Sequence, residues 1–204
     1  TELRRAKQDT NKVKILNLLS EKAGWRVGKH DTAIILANEA STLAKRLGFE
    51  QGIAQAHSHI GLAYMQLGSL DSAMAEHEAA LRIRQRLDDK AGIANSYGNI
   101  GHVHKNRGEL EESIRYYLLA VAMDKAAGKM SSMANWYNHM GAVQLTLGDF
   151  PKAMETNLMA LRIQETEGDS SGMTYSYNNI AIIHLKQKAY AEALVNCNNT
   201  LGIL

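Results

Sequence analysis

A forty-residue period constrains this chain more than any other feature it carries. Gly61, Gly101 and Gly141 line up under a shift of forty, with Ala181 in the fourth copy. Gly28, Gly68, Gly108 and Gly148 line up likewise, with Lys188 last. Ala33, Ala73, Ser113, Ala153 and Ala193 form a third register, and Ala40, Ala80, Ala120, Ala160 and Thr200 a fourth. A fixed repeat of this length specifies a stacked array in which each unit buries its apolar face on the next. It does not specify a globular enzyme core. The clearest copy runs from Gly92 to Ser131.

Composition decides which elements repeat. The chain has 1 Pro and 2 Phe against many Ala, Leu and Met, which favours helix over strand. Hydrophobic residues make up 45%, enough for a continuous core. After Asp9-Thr10-Asn11, which offers N-cap chemistry, Val13, Ile15, Leu16 and Leu19 give one side of a first helix. Gly28 and Asp31 mark a turn, and 33–47 reads as the partner helix. Helix pairs then follow at 51–67 and 70–87, 91–107 and 110–127, 131–147 and 150–167, and 171–187 and 190–204. A glycine in most turns closes the helix before it in the left-handed conformation. Asp71 and Asp149 sit at helix starts, and Pro151 fits a first turn. Residues 1–9 read as a capping turn or a frayed end. The expected organisation is one array with repeats at about 10–50, 51–90, 91–130, 131–170 and 171–204.

Within one repeat, Tyr97, Ile100, Gly101 and His104 share a face of the first helix. Ser113, Tyr117 and Ala120 share one on the second. Small residues at 101, 113 and 120 let the two backbones approach.

These spacings resemble the tetratricopeptide (TPR) family, whose first helix carries Trp-x2-Leu-Gly-x2-Tyr and whose second carries Ala-x3-Phe. The chain has His57-x2-Ile60-Gly61-x2-Tyr64, Tyr97-x2-Ile100-Gly101-x2-His104, Tyr137-x2-Met140-Gly141-x2-Gln144 and Tyr177-x2-Ile180-Ala181-x2-His184. The second-helix elements are Ala73-x3-His77, Ser113-x3-Tyr117, Ala153-x3-Asn157 and Ala193-x3-Cys197. The period is forty rather than thirty-four and the closing Pro is absent, a variant similar to kinesin light chain and the spindle-orientation adaptors. The stretches DTNKVKILNLLSE and LAKRLGFEQGIAQAHSHIGLAY most resemble the TPR regions of Bacteroidetes sensor proteins. The resemblance implies an all-α, right-handed superhelical solenoid of five TPR-like helix pairs. It implies a module that binds a protein or an extended peptide in a concave groove, as the sensory or interaction region of a larger signalling protein. The alternative is a constitutive scaffold without a switching role.

In that family the first helices line the groove, so the residues offset from their packing face are the ones to read. They are Gln55, His59, Leu62 and Gln66; Asn95, Asn99, His102 and Asn106; Asn135, His139, Ala142 and Thr146; and Tyr175, Asn179, Ile182 and Lys186. Asn138 and Asn178 flank the stripe. A side-chain amide pairs with a peptide N–H and C=O together, so a ladder of amides can hold an extended backbone. The candidate peptide-binding set is His59, Asn95, Asn99, His102, Asn135, Asn138, His139, Tyr175, Asn178 and Asn179. The competing role for the same asparagines is to join adjacent helices, cap turns or hydrate the surface.

Other chemistries have little support. A net charge of +2 without a basic run disfavours nucleic acid as a partner. No His-x3-His pair exists and Cys197 is the one cysteine, so no metal site, cofactor or disulfide framework is expected. No glycine-flanked nucleophile or phosphate loop appears, and no enzyme activity is expected. His104 and His184 read as packing residues, and Cys197, at the family's aromatic position, as a buried thiol. His59, His102 and His139 would make a groove sensitive to pH. No apolar run reaches membrane-spanning length and no signal peptide opens the chain. The chain lacks an initial Met, so a leader removed from it remains compatible with the sequence. The sensor resemblance implies a periplasmic location, and a cytoplasmic one follows without it. Leu201, Ile203 and Leu204 leave the last helix apolar and uncapped, which points to more chain or to a homodimer through that end.

Overall fold

The computed structural model describes residues 9–24 and 28–203, and it is helical throughout those elements. In chain order they are α1 (Thr10–Gly24), α2 (His30–Leu47), α3 (Glu50–Gln66), α4 (Leu70–Arg86), α5 (Lys90–Arg107), α6 (Leu110–Ala127), α7 (Met130–Thr146), α8 (Phe150–Glu167), α9 (Ser170–Lys186) and α10 (Tyr190–Ile203). From α3 on, the bounds fall within one residue of those the period predicts. The expected turn before Asp9 and the terminal Leu204 lie outside the described residues. No described helix is long and apolar enough to cross a membrane.

The punctuation is more regular than the forty-residue repeat suggests. Gly28, Gly48, Gly68, Asp88, Gly108, Gly128, Gly148, Gly168 and Lys188 all have positive φ, between +50° and +79°. They recur every twenty residues, so turns within a pair and turns between pairs are the same device. At 68 the Gly68 N–H reaches Met65 O at 3.1 Å and the Ser69 N–H reaches Tyr64 O at 2.9 Å, the paired bonds that close a helix on a left-handed residue. Asp88 and Lys188 make the same bonds without glycine. Aspartates cap several of the starts. Asp9 Oδ1 accepts from the Asn11 and Lys12 N–H groups, and Asp149 from Lys152 N.

The helices form two compact units, one ending at Arg107 and one beginning at Gly108. In the first, α1–α5 pack in sequence, and the odd-numbered helices also touch one another, α1 on α3 and α3 on α5. Val13, Leu16, Ala37, Ala40, Leu43, Ala44, Ala56 and Ile60 form a buried cluster there. In the second, α6–α10 pack in sequence and α7 touches α9. Its interior holds Tyr117, Trp136, Met140, Val143, Leu161, Ile180 and Ile183.

Helices of a pair approach where the period places glycine. A Cβ at Gly61 would lie 2.5 Å from His77 Cε1, and one at Gly141 would lie 2.8 Å from Asn157 Cγ and collide with Asn157 Nδ2. His77 and Asn157 are fully buried, so neither can swing away. Asn157 is further held by bonds to Ala153 O at 2.7 Å and from Asn179 Nδ2 at 2.8 Å. Gly141→Ala is therefore expected to cost about 1–3 kcal/mol, read as a lower urea midpoint at unchanged slope.

A second register joins one pair to the next. Arg84 Nη1 donates to Ser96 Oγ at 2.7 Å, Trp136 Nε1 donates to Asp124 Oδ2 at 2.7 Å, and Ser176 Oγ lies 2.6 Å from Gln164 Oε1. Each contact links the end of a second helix to the first helix after it, across twelve residues. At the first junction the same positions are Ala44 and Ala56, both fully buried. One site in the repeat thus carries an apolar contact, a cation, a carboxyl group and an amide in turn.

Candidate binding grooves

Each unit presents a groove between successive odd-numbered helices, and the two grooves share several lining positions eighty residues apart. In the first unit, α3 and α5 enclose about 300 Å³, lined by Gln51, Ala54, Gln55, Arg84, Leu87, Asp89, Ala91, Gly92 and Asn95. In the second, α7 and α9 enclose about 360 Å³, lined by Asn135, Asn138, His139, Asp169, Ser171, Gly172 and Tyr175. Gln55 corresponds to Asn135, Asp89 to Asp169, Gly92 to Gly172 and Asn95 to Tyr175.

The floor of each groove is a capped helix start. Asp89 Oδ1 accepts from Gly92 N at 2.9 Å, and Asp169 Oδ1 accepts from Gly172 N at 2.9 Å. Both glycines lack the room for a side chain. A Cβ at Gly92 would collide with the Asp89 carboxylate and lie 2.8 Å from Arg84 Cδ, and one at Gly172 would lie 2.7 Å from Gln164 Nε2. The cap aspartate and the end of the preceding helix therefore reach the groove over bare backbone. The sequence holds this signal as Asp-x-x-Gly at 89–92 and 169–172, outside the amide stripe.

The groove walls differ in chemistry. In the second unit an aromatic series leads from the interior to the surface. His139 stacks on buried Tyr117 with centroids 5.9 Å apart, lies 5.8 Å from Trp136, and meets Tyr175 edge-on at 6.2 Å. Burial pushes the Tyr117 hydroxyl above its ordinary pKa, so it stays protonated. Tyr175 is 44% exposed and Asn135 is exposed, so an apolar ring and a free amide face solvent together. In the first unit the corresponding wall is polar, with Gln55 and Asn95 exposed and Arg84 half-buried.

The ten candidate residues divide accordingly. Asn135, Asn138, His139 and Tyr175 come together in the second groove and Asn95 lines the first. His59 lies instead in a cleft of about 50 Å³ with Ser20, Glu21, Gly24, Leu62 and Gln66, between α1 and α3. Burial lowers its pKa, the Glu21 carboxylate opposes that, and the Arg84 charge adds to it. Asn99 and His102 are half-buried on α5. Asn138 and Asn179 are buried, against the expectation that they present free amides. Asn138 Oδ1 accepts from Ser176 Oγ at 2.8 Å, and Asn179 Nδ2 donates to Asn157 Oδ1. They are inter-helix ties, because α9 packs on both α7 and α8 and closes over them. Asn178 is exposed and accepts from Thr200 Oγ1 at 3.4 Å, toward α10. Cys197 is also misplaced by the sequence pattern. It is exposed, although Asn157 in the same register is buried under α9. Among the described residues no group of three or more His, Cys, Asp or Glu side chains is arranged to hold a metal ion.

Residues 52–126 match a tetratricopeptide repeat model. Solved structures similar to the chain carry the same fold. A kinesin light chain protein of Podosopora anserina with nearly identical TPR-like repeats is 14% identical, with a TM-score of 0.73 over 95% of each chain. The signal transduction ATPase (STAND) protein of Pyrococcus horikoshii with a tetratricopeptide repeat sensor is 18% identical, with a TM-score of 0.79 over 95% of this chain and 30% of that one. A Rap protein complexed with Competence and Sporulation Factor is 14% identical, with a TM-score of 0.75 over 98% of this chain and 66% of that one. No curated protein sequence matches the chain.

Proposed function

Because the chain is an array of tetratricopeptide-like repeats, we propose that it is a binding module that holds an extended peptide or protein segment against its odd-numbered helices. The observation that carries this reading is the recurrence of one groove at an eighty-residue interval, each copy floored by an Asp-capped helix start, with Gln55 and Asn95 exposed on the first and Asn135 on the second. A polar groove suits a ligand whose backbone offers a donor and an acceptor at every residue. Asn135, Gln55 and Asn95 supply the paired donor and acceptor that a peptide unit needs. Tyr175 supplies rigid contact area for a side chain. Asn99, His102 and His139 supplement these contacts from the same faces, while Asn138 and Asn179 position the helices.

The similarity to a signal transduction ATPase with a repeat sensor and to a Rap protein complexed with Competence and Sporulation Factor supports a sensory role within a larger signalling protein. Occupancy then alters how neighbouring helix pairs pack. Hydrogen exchange separates this from a constitutive scaffold: a sensor changes protection beyond the groove on ligand addition, and a scaffold does not. A homodimer through α10 extends the reading, since Tyr190, Leu194, Val195 and Leu201 on that helix are exposed. Light scattering that returns a monomer mass at every concentration removes it.

The binding reading is tested with an array of short synthetic peptides. Retention by the Asn135→Ala, Tyr175→Ala double variant is expected to fall about tenfold or more, as for loss of a central aromatic and an amide contact. Its helical circular dichroism stays that of the wild type. Equal retention by the folded variant excludes this groove as the site.

A further inference from the structure

The even-numbered helices repeat one stripe, and among the described ones α10 leaves it bare. Ala37, His77, Tyr117 and Asn157 are fully buried, whereas Cys197 in the same register is exposed. Ser41, Val121 and Leu161 are buried and Leu81 is half-buried, but Leu201 is 68% exposed. Ile34, Met74, Ile114 and Met154 are half-buried, but Leu194 is 62% exposed. The three bare positions are spaced three and four residues apart, on one side of the helix. The other side of α10 is seated like its counterparts. It packs on α9, and Ala193 and Thr200 are buried as Ala153 and Ala160 are. The bare stripe therefore does not come from a displaced helix. α3, α5, α7 and α9 each pack on the even-numbered helix before them, and the described residues place no helix on α10 in that role.

The internal junctions define what fits such a stripe. At the first, α3 brings Ile53, Ala56 and Ile60 into one apolar cluster with Ile34, Ala37 and Ala44. The later junctions are polar, through Arg84 and Ser96, Asp124 and Trp136, and Gln164 and Ser176. α10 offers the first kind, since Leu194, Cys197 and Leu201 carry no charge and no amide. A second copy has no such helix to spare. Its α3, α5, α7 and α9 are already seated, and its α1 keeps Val13 and Leu16 fully buried with Lys14, Glu21 and Lys22 exposed. We infer that the α10 stripe is a docking surface for an amphipathic helix of another polypeptide, one that carries the apolar-x2-small-x3-apolar pattern of Ile53, Ala56 and Ile60. The surface lies outside the grooves and does not depend on the peptide reading. A homodimer through α10 covers the same stripe, so the docked helix displaces a second copy.

The probe is a synthetic peptide of the α3 sequence, Glu50–Gln66, and the readout is alkylation of Cys197, the one thiol of the chain. A docked helix shields that thiol, so peptide at about ten times its Kd is expected to slow the reaction with a maleimide about tenfold. Leu194→Glu with Leu201→Glu is expected to weaken binding about tenfold or more, since one buried leucine alone is worth that. Both side chains are exposed, so this variant keeps its helical circular dichroism. A peptide carrying Ile53→Glu and Ile60→Glu gives no protection. The Asn135→Ala, Tyr175→Ala protein is protected as well as wild type, and loss of protection there puts the peptide in the groove and overturns the docking surface. A thiol that stays reactive at about 1 mM peptide also overturns it. So does protection that persists in the leucine variant or with the altered peptide. If protein concentration alone shields the thiol, and light scattering shows that peptide releases no monomer, a second copy is the occupant and the helix reading falls.

Discussion

Trp136→Phe destabilises the second unit by about 3 kcal/mol, well beyond what the loss of ring area explains. Asp124 is 1% exposed, and the Trp136 indole N–H is the donor to its side-chain oxygen at 2.7 Å. Phenylalanine fills much of the same space but presents no N–H, so a buried polar group is left without its donor. Removing both partners is milder, because no orphan remains: Asp124→Leu with Trp136→Phe recovers most of the loss. Urea unfolding of the two single variants and the double measures the coupling directly. A single-variant loss of about 1 kcal/mol or less would show that the indole contributes packing alone.

Acidification removes about 3 kcal/mol from the first unit between roughly pH 6.5 and 4, through His77. This imidazole is fully buried over Gly61, and neither ring nitrogen has a hydrogen-bond partner. Burial, and then the Arg84 charge, pull its pKa from 6.5 to about 4. The folded state therefore resists a proton that the unfolded chain accepts. The stabilisation is complete above the unfolded pKa and is lost as pH falls toward the folded one. His59 is lowered in the same direction and steepens the slope. His77→Asn, the residue found in register at 157, is expected to flatten most of the dependence and leave the His59 share. Urea midpoints at about pH 7.5 and 4 span the window. An unmoved wild-type midpoint, or an unchanged slope in the variant, refutes the assignment.

The helix array was legible because its punctuation is written in the backbone's own terms. Glycine recurs where a left-handed residue must stand, and the apolar spacing between glycines has the helical period. The candidate site was legible only where exposure follows from helix phase, as at Asn95, Asn135 and Tyr175. Phase alone does not separate Asn135 from Asn138. The two differ because Ser176 and Gln164, brought in from later helices, close around the latter. Arg84 escaped the amide stripe because it belongs to a second helix and enters the groove past Gly92. That entry depends on a missing side chain on a different element. Cys197 was misread because its register position is buried in α8 by α9, whereas the described residues place no helix over it in α10.

The left-handed residues at twenty-residue intervals make the length of this chain a quantised property. One residue added inside a helix turns everything after it by about 100°, and one added at a turn displaces the next start by a residue. Either error carries the junction pairs and the groove positions out of phase together. A block of eighty residues cut between equivalent turns, such as Asp88 and Gly168, returns the groove positions to their own register and sets a serine, Ser176 for Ser96, opposite Arg84. Such a chain changes its number of binding grooves by whole modules while it keeps the helix phase of each. Recombination between copies is then the low-cost path by which this architecture acquires or sheds specificity, and small insertions within a module are the costly one.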